Sequence, residues 1–150
     1  MMNIIDTHVH VWDLDNYRLP WLDGEGPTLK RTWSVSDYAA CQDESHGYHV
    51  EQAVYIEVDM AHDERERENE LACKMVSDPS CIYGAACISG NLDEPGFDEY
   101  IERWVAHPQV RGLRQVLHVP SATPGTFMRA SSPRSAASCS VHMTTPAPLP

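Results

Sequence analysis

An α/β fold on a parallel sheet is what this sequence predicts, and three observations carry the prediction. Val- and Ile-rich runs recur at residues 3–11, 50–59, 82–89 and 110–119. Between them lie runs of good helix formers, and strand alternating with helix calls for right-handed crossovers that leave the strands parallel. The chain of 150 residues is also long enough to enclose one real core.

Each element has its own local cause. Asn3–Val11 is short and β-branched, the signature of a strand. Residues 12–35 have Trp, Tyr, Pro and Gly without a period, as in Leu19-Pro20-Trp21 and Gly24-Glu25-Gly26-Pro27, and predict a long active-site cover. Ser34 or Ser36 can cap a short helix reaching about Ser45. After the strand ending Ala53-Val54-Tyr55-Ile56-Glu57-Val58-Asp59, residues 60–77 predict a helix. Its apolar stripe is Leu71, Met75 and Val76, its charged early half reads as a solvated face, and Ser77-Asp78-Pro79 stops it. The third strand, Ile82–Ser89, leads into a helix over 96–106 with Phe97, Ile101, Trp104 and Val105 on one side, and Val110–Val119 is the fourth strand.

The pattern ends at Pro120. Of residues 121–150, 20 are Ser, Thr, Ala or Pro and none is acidic, so this segment predicts a disordered, low-complexity tail behind a 1–120 domain. Residues 1–120 set nine Lys and Arg against all 22 acidic residues. That surplus argues against nucleic acid or an anionic membrane as partner, since both need a basic footprint. No basic region precedes the first apolar run, which Asp6, His8 and His10 interrupt, so neither a signal peptide nor a membrane span is expected and the predicted location is cytoplasmic. Five irregularly spaced cysteines (Cys41, Cys73, Cys81, Cys87 and Cys139) fit free thiols in a reducing compartment. No Gly-x-Gly-x-x-Gly follows the first strand and no P-loop occurs, so no nucleotide cofactor is expected.

Chemistry concentrates at the strand ends. By strand alternation Ile4, Asp6, His8 and His10 share one face, and Ile5, Thr7, Val9 and Val11 the other. Two imidazoles two residues apart can converge on one divalent ion, with Asp6 one layer deeper as a ligand or as a support for one. The competing reading is a pair of surface histidines on an edge strand. Glu57 ends the second strand, and Arg114 and His118 share a face of the fourth. Arg114 can orient a carboxylate or carbonyl oxygen, and His118 can serve as ligand, proton carrier or hydrogen-bond donor. For each, a merely solvated strand end is the alternative. Tyr55 shares the Glu57 face, while Arg18 and Trp21 in the first loop can line a substrate mouth or simply pin the loop down.

The segments Ile5-Asp6-Thr7-His8-Val9-His10-Val11-Trp12-Asp13, Tyr17, Leu19-Pro20-Trp21, Ala53-Val54-Tyr55-Ile56-Glu57 and Arg111-Gly112-Leu113-Arg114 together resemble the amidohydrolase-related, metal-dependent hydrolases, most closely the sugar-lactone hydrolases acting on fucono- or rhamnono-lactones. The resemblance covers about residues 4–120. It implies a partial TIM (β/α)8 barrel comprising the first four strands, with His8 and His10 matching the family's first-strand histidines. It also implies a bound Zn, Mn or Mg ion, a sugar lactone as small-molecule substrate, and metal- or cation-assisted water attack on its carbonyl. The family draws a further histidine from the second half of its barrel and an aspartate from the last strand, and this sequence offers a match for neither. A truncated hydrolase or a non-catalytic fragment is therefore expected, with a tail that reads as out-of-frame translation and an open sheet edge available for self-association.

Overall fold

The computed structural model describes residues 1–116 and the strand at 139–142. Its core is four parallel strands in sequence order: β1 (Met2–Val9), β2 (Tyr48–Ile56), β3 (Tyr83–Ser89) and β4 (Val110–Gln115). A four-residue strand, β5 (Cys139–His142), pairs antiparallel to β4. Every parallel ladder carries at least one register shift. Such shifts add twist, and the result is a curled half-barrel sheet.

Three helices complete the described crossovers. Helix α1 (Val35–Ala40) is only six residues long and depends on its cap: Ser34 accepts from Asp37 N, and the Asp37 carboxylate accepts from Ser34 N, a reciprocal capping box. Helix α2 spans Arg65–Ser77 and α3 spans Phe97–Val105. The sequence predicts α2 from residue 60, but residues 62–64 form a tighter 3₁₀ turn and the α-helix starts at Arg65.

The helices pack on one side of the sheet over Val9, Ala53, Tyr55, Ala86, Ile88 and Val110, with Ala72 of α2 and Trp104 of α3. Alanines on both surfaces let helix and strand approach closely. The charged early half of α2 exposes Glu66, Arg67 and Glu70 as expected, but Glu68 and Asn69 are fully buried. Asn69 is anchored by the Ser89 peptide, accepting from its N–H at 3.2 Å.

A second apolar cluster of Leu19, Leu22, Val58 and Met60, joined by Trp12, Tyr17, Trp21 and Leu71, fixes the long first loop. The loop is closed at its base by mutual backbone hydrogen bonds of 2.9 Å between Trp12 and Trp33.

β1 is an outer strand of the described sheet, and Ile5 is 58% exposed where alternation predicts a covered face. Only Val9 and Val11 of that set reach the core.

Gly90 follows β3, where an added Cβ would lie 2.5 Å from Leu113 Cδ1 and 3.1 Å from Tyr100 Cε1. Gly90→Ala is expected to lower stability by about 1–3 kcal/mol through overpacking. Urea denaturation checks it, and an unchanged midpoint would refute the tight contact.

Candidate active site

The strand ends gather their polar groups through a fault in β1. Asp6 is in register with Ala53, but Val9 is in register with Tyr55, so β1 carries one extra residue there. Ala53, Tyr55 and Val9 all belong to the helix-side core. The bulge therefore leaves Asp6 on the helix side, where its Oδ2 accepts from the Tyr38 hydroxyl of α1 at 2.9 Å. Its Oδ1 accepts from His8 N at 3.1 Å, bracing the bulge. Asp6 thus does not share a face with His8 and His10, because one inserted residue reverses strand alternation.

His8 and His10 do meet, with Nε2 to Nε2 at 3.0 Å and the rings edge-to-face. His10 Nδ1 lies 3.0 Å from the Ile56 carbonyl, which can only accept, so Nδ1 carries the proton. Burial lowers the His10 pKa below its ordinary value, keeping the ring neutral. The His10 Nε2 lone pair is then the acceptor and His8 Nε2–H the donor.

This arrangement is a hydrogen-bonded pair and does not fit a metal site. Protein metal sites of this chemistry take three or four protein ligands, and among the described residues no group of three or more His, Cys, Asp or Glu is placed to hold an ion. The expected Zn, Mn or Mg ion on His8, His10 and Asp6 is corrected accordingly. The bulge turns Asp6 toward Tyr38 and away from the pair.

Glu57 and Arg114 form the second part. Arg114 reaches from β4 across β3 to the end of β2, where its Nη1 donates to Glu57 Oε1 at 2.7 Å and to the Glu57 carbonyl at 2.9 Å. Glu57 is 1% exposed, and its Oε2 accepts from Asp59 N at 2.7 Å. Burial pushes its carboxyl up to about 7, helped by Glu68 and opposed by Arg114. The buried Arg114 Nε lacks a hydrogen-bond partner among the described residues.

The remaining sequence candidates have other employment. Tyr55 is fully buried in the helix-side core and donates its hydroxyl to Glu68 Oε1 at 3.1 Å. Arg18 gives Nη2 to both Asp63 oxygens at 2.6 Å and its backbone N–H to Glu64 Oε2 at 2.7 Å, tying the first loop to the turn before α2. Trp21 donates Nε1 to the Val58 carbonyl at 2.7 Å and packs edge-to-face on Trp12. These contacts fasten the first loop where the sequence suggests a cover. His118 lies outside the described residues.

Sequence reasoning missed Glu68 and Tyr38. A signal for Glu68 existed: Glu68, Leu71, Ala72 and Met75 stand at i, i+3, i+4 and i+7, so a carboxylate interrupts an apolar stripe. It is pushed up by burial to about 6.

A family model described as Amidohydrolase matches residues 5–137. The chain belongs to the amidohydrolase family. Among solved structures it is similar to Amidohydrolase 2 from Bifidobacterium longum subsp. infantis, at 34% identity and a TM-score of 0.50 over 61% of this chain. The chain spans 34% of that amidohydrolase's length. No curated protein matches. Among the described residues, no helix of this amidohydrolase chain is long and apolar enough to cross a membrane.

Two predictions follow from the geometry. Arg114→Met strands a buried carboxylate and is expected to cost about 3–5 kcal/mol in urea unfolding, whereas the double change with Glu57→Met recovers most of the loss. A double variant as unstable as the single one would refute the pairing. His10 is expected to titrate below 6.5 by NMR as the Nδ1-protonated tautomer. The unfolded chain then binds a proton that folded His10 refuses, so this group's stabilising contribution is lost as pH falls through 6.5. His10→Gln should remove that dependence, and a midpoint at or above 6.5 would contradict it.

Proposed function

We propose that the described residues form the N-terminal part of a hydrolase site, and that this part alone is non-catalytic. The carrying observation is the composition of the strand ends. A neutral His10 held by His8 and a Glu57–Arg114 pair stand there, with no third metal-type ligand grouped beside the histidines among the described residues. Membership of the amidohydrolase family supports the hydrolase reading, and the 34% coverage of the Bifidobacterium structure supports the partial one.

A second reading concerns what a completed site would do, and the His10 tautomer favours it. With Nδ1–H fixed on Ile56, the His10 Nε2 lone pair, which accepts from His8 Nε2–H, suits proton removal from a water that takes the place of His8. Arg114, held by Glu57, suits a carbonyl oxygen that gains negative charge during attack. Cation-assisted opening of an ester-like carbonyl follows, with a sugar lactone as substrate on the strength of the sequence resemblance. His118 is proposed as a further polar group of that site.

The test is hydrolysis of 1,4- and 1,5-sugar lactones by the purified polypeptide. The expected outcome is no turnover above buffer for the wild type, for His10→Ala or for Arg114→Met. Turnover that disappears in His10→Ala would replace the non-catalytic reading with the lactonase one.

A further inference from the structure

The turn after β2 presents two successive amides to two different carboxylates. Val58 N donates to Glu68 Oε1 at 2.6 Å, and Asp59 N donates to Glu57 Oε2 at 2.7 Å. Consecutive N–H groups of one turn thus hold Glu68, from α2, beside Glu57, from the end of β2. Asp59 adopts a left-handed φ of 54°, a conformation rare outside Gly, Asn and Asp, and this bends the chain between the two carboxylates.

Both acids are fully buried, yet their charges are unequally served. Glu57 has the Arg114 guanidinium. Glu68 has the Tyr55 hydroxyl and the Val58 amide on Oε1, no cation within salt-bridge distance among the described residues, and an Oε2 without a hydrogen-bond partner. The nearby cation at the head of α2, Arg65, gives both Nη atoms to Glu94. Two buried carboxylates held on consecutive amides, with a guanidinium on only one of them, cannot both stay charged cheaply, because an unpaired buried charge costs several kcal/mol.

We propose that Glu57 and Glu68 hold one proton between them, which makes Glu68 a positioning residue that sets the charge Glu57 presents to Arg114. The inference rests on the reading of Glu57 and Arg114 as part of the site. Its readout is a titration, so turnover in the lactone assay would overturn the non-catalytic reading without touching this one.

Every element around the pair contributes a group. Arg114 comes from β4, His10 follows β1, and Tyr55 lies on β2. Cys87 lies on β3, Asp59 in the turn and Tyr100 on α3. Burial pushes both carboxyls upward, and Glu68 raises Glu57 further. The Val58 amide, the Tyr55 hydroxyl and the Met60 amide pull the other way at Glu68 by stabilising its anion. The two macroscopic steps therefore belong to the pair.

Carboxyl ¹³C NMR on the full chain, assigned with Glu57→Gln and Glu68→Gln, tests this. In the wild type both signals should titrate above the ordinary carboxylate range. In Glu68→Gln, which keeps an Oε1 acceptor, the Glu57 midpoint should fall by about one unit. Tyr55→Phe serves if that variant does not fold. Loss of the hydroxyl should raise the Glu68 midpoint and lower that of Glu57, since a proton held more tightly by one acid relieves the other. Opposed shifts support proton sharing. Ordinary wild-type midpoints, an unmoved Glu57 in folded Glu68→Gln, or a shift at Glu68 alone in Tyr55→Phe would each overturn it.

Discussion

The ends of β2 and β4 are tied to one another by the Arg114 side chain. Arg114 crosses β3 and gives Nη1 to both the carboxylate and the carbonyl of Glu57. Parallel strands are joined laterally by backbone hydrogen bonds, but at their C-terminal ends those bonds run out, and side chains take over. A buried ion pair is a weak source of net stability, because desolvation offsets its attraction, yet removing one partner is costly. The Glu57–Arg114 pair therefore acts chiefly as a constraint. It fixes where a positive charge stands at the end of β2, beside the turn whose Val58 amide holds Glu68.

The first loop follows from the same turn. Val58 donates its N–H to Glu68 and its carbonyl accepts from Trp21 Nε1, so the residue following Glu57 also anchors residues 12–34. Leu19 and Leu22 bury beside Val58 and Met60, and Arg18 fastens the loop to Asp63 and Glu64. The Arg18–Asp63 pair is largely exposed and contributes direction more than stability. The aromatic residues of the loop form a packed wall next to the strand ends.

The two flanks of the described sheet differ. β4 is covered by the antiparallel β5, whereas β1 is an outer strand with Ile5 exposed. An outer strand bearing apolar side chains is a surface that other strands can pair with. The β1 bulge lies in this strand, and it is what separates Asp6 from the histidine pair.

Much of this architecture was legible in the sequence. β-Branched runs between helix-forming runs set four parallel strands and their order, because periodicity and crossover handedness act locally. His8, His10, Glu57 and Arg114 could be picked out for the same reason, as polar residues closing apolar strands. What the sequence could not determine depends on contacts between distant segments. The extra residue at Asp6–Val9 is visible only against the register of β2, so the third donor of the expected metal site turned out to face Tyr38 instead. That the polar atoms of Tyr55 and Arg18 bond Glu68, Asp63 and Glu64 is likewise set by packing between distant segments. Glu68 broke an apolar stripe in plain view, but only the tertiary structure decided that its carboxyl sits buried beside Glu57. A buried charge is tolerable only where particular partners converge on it, and that convergence belongs to the fold as a whole.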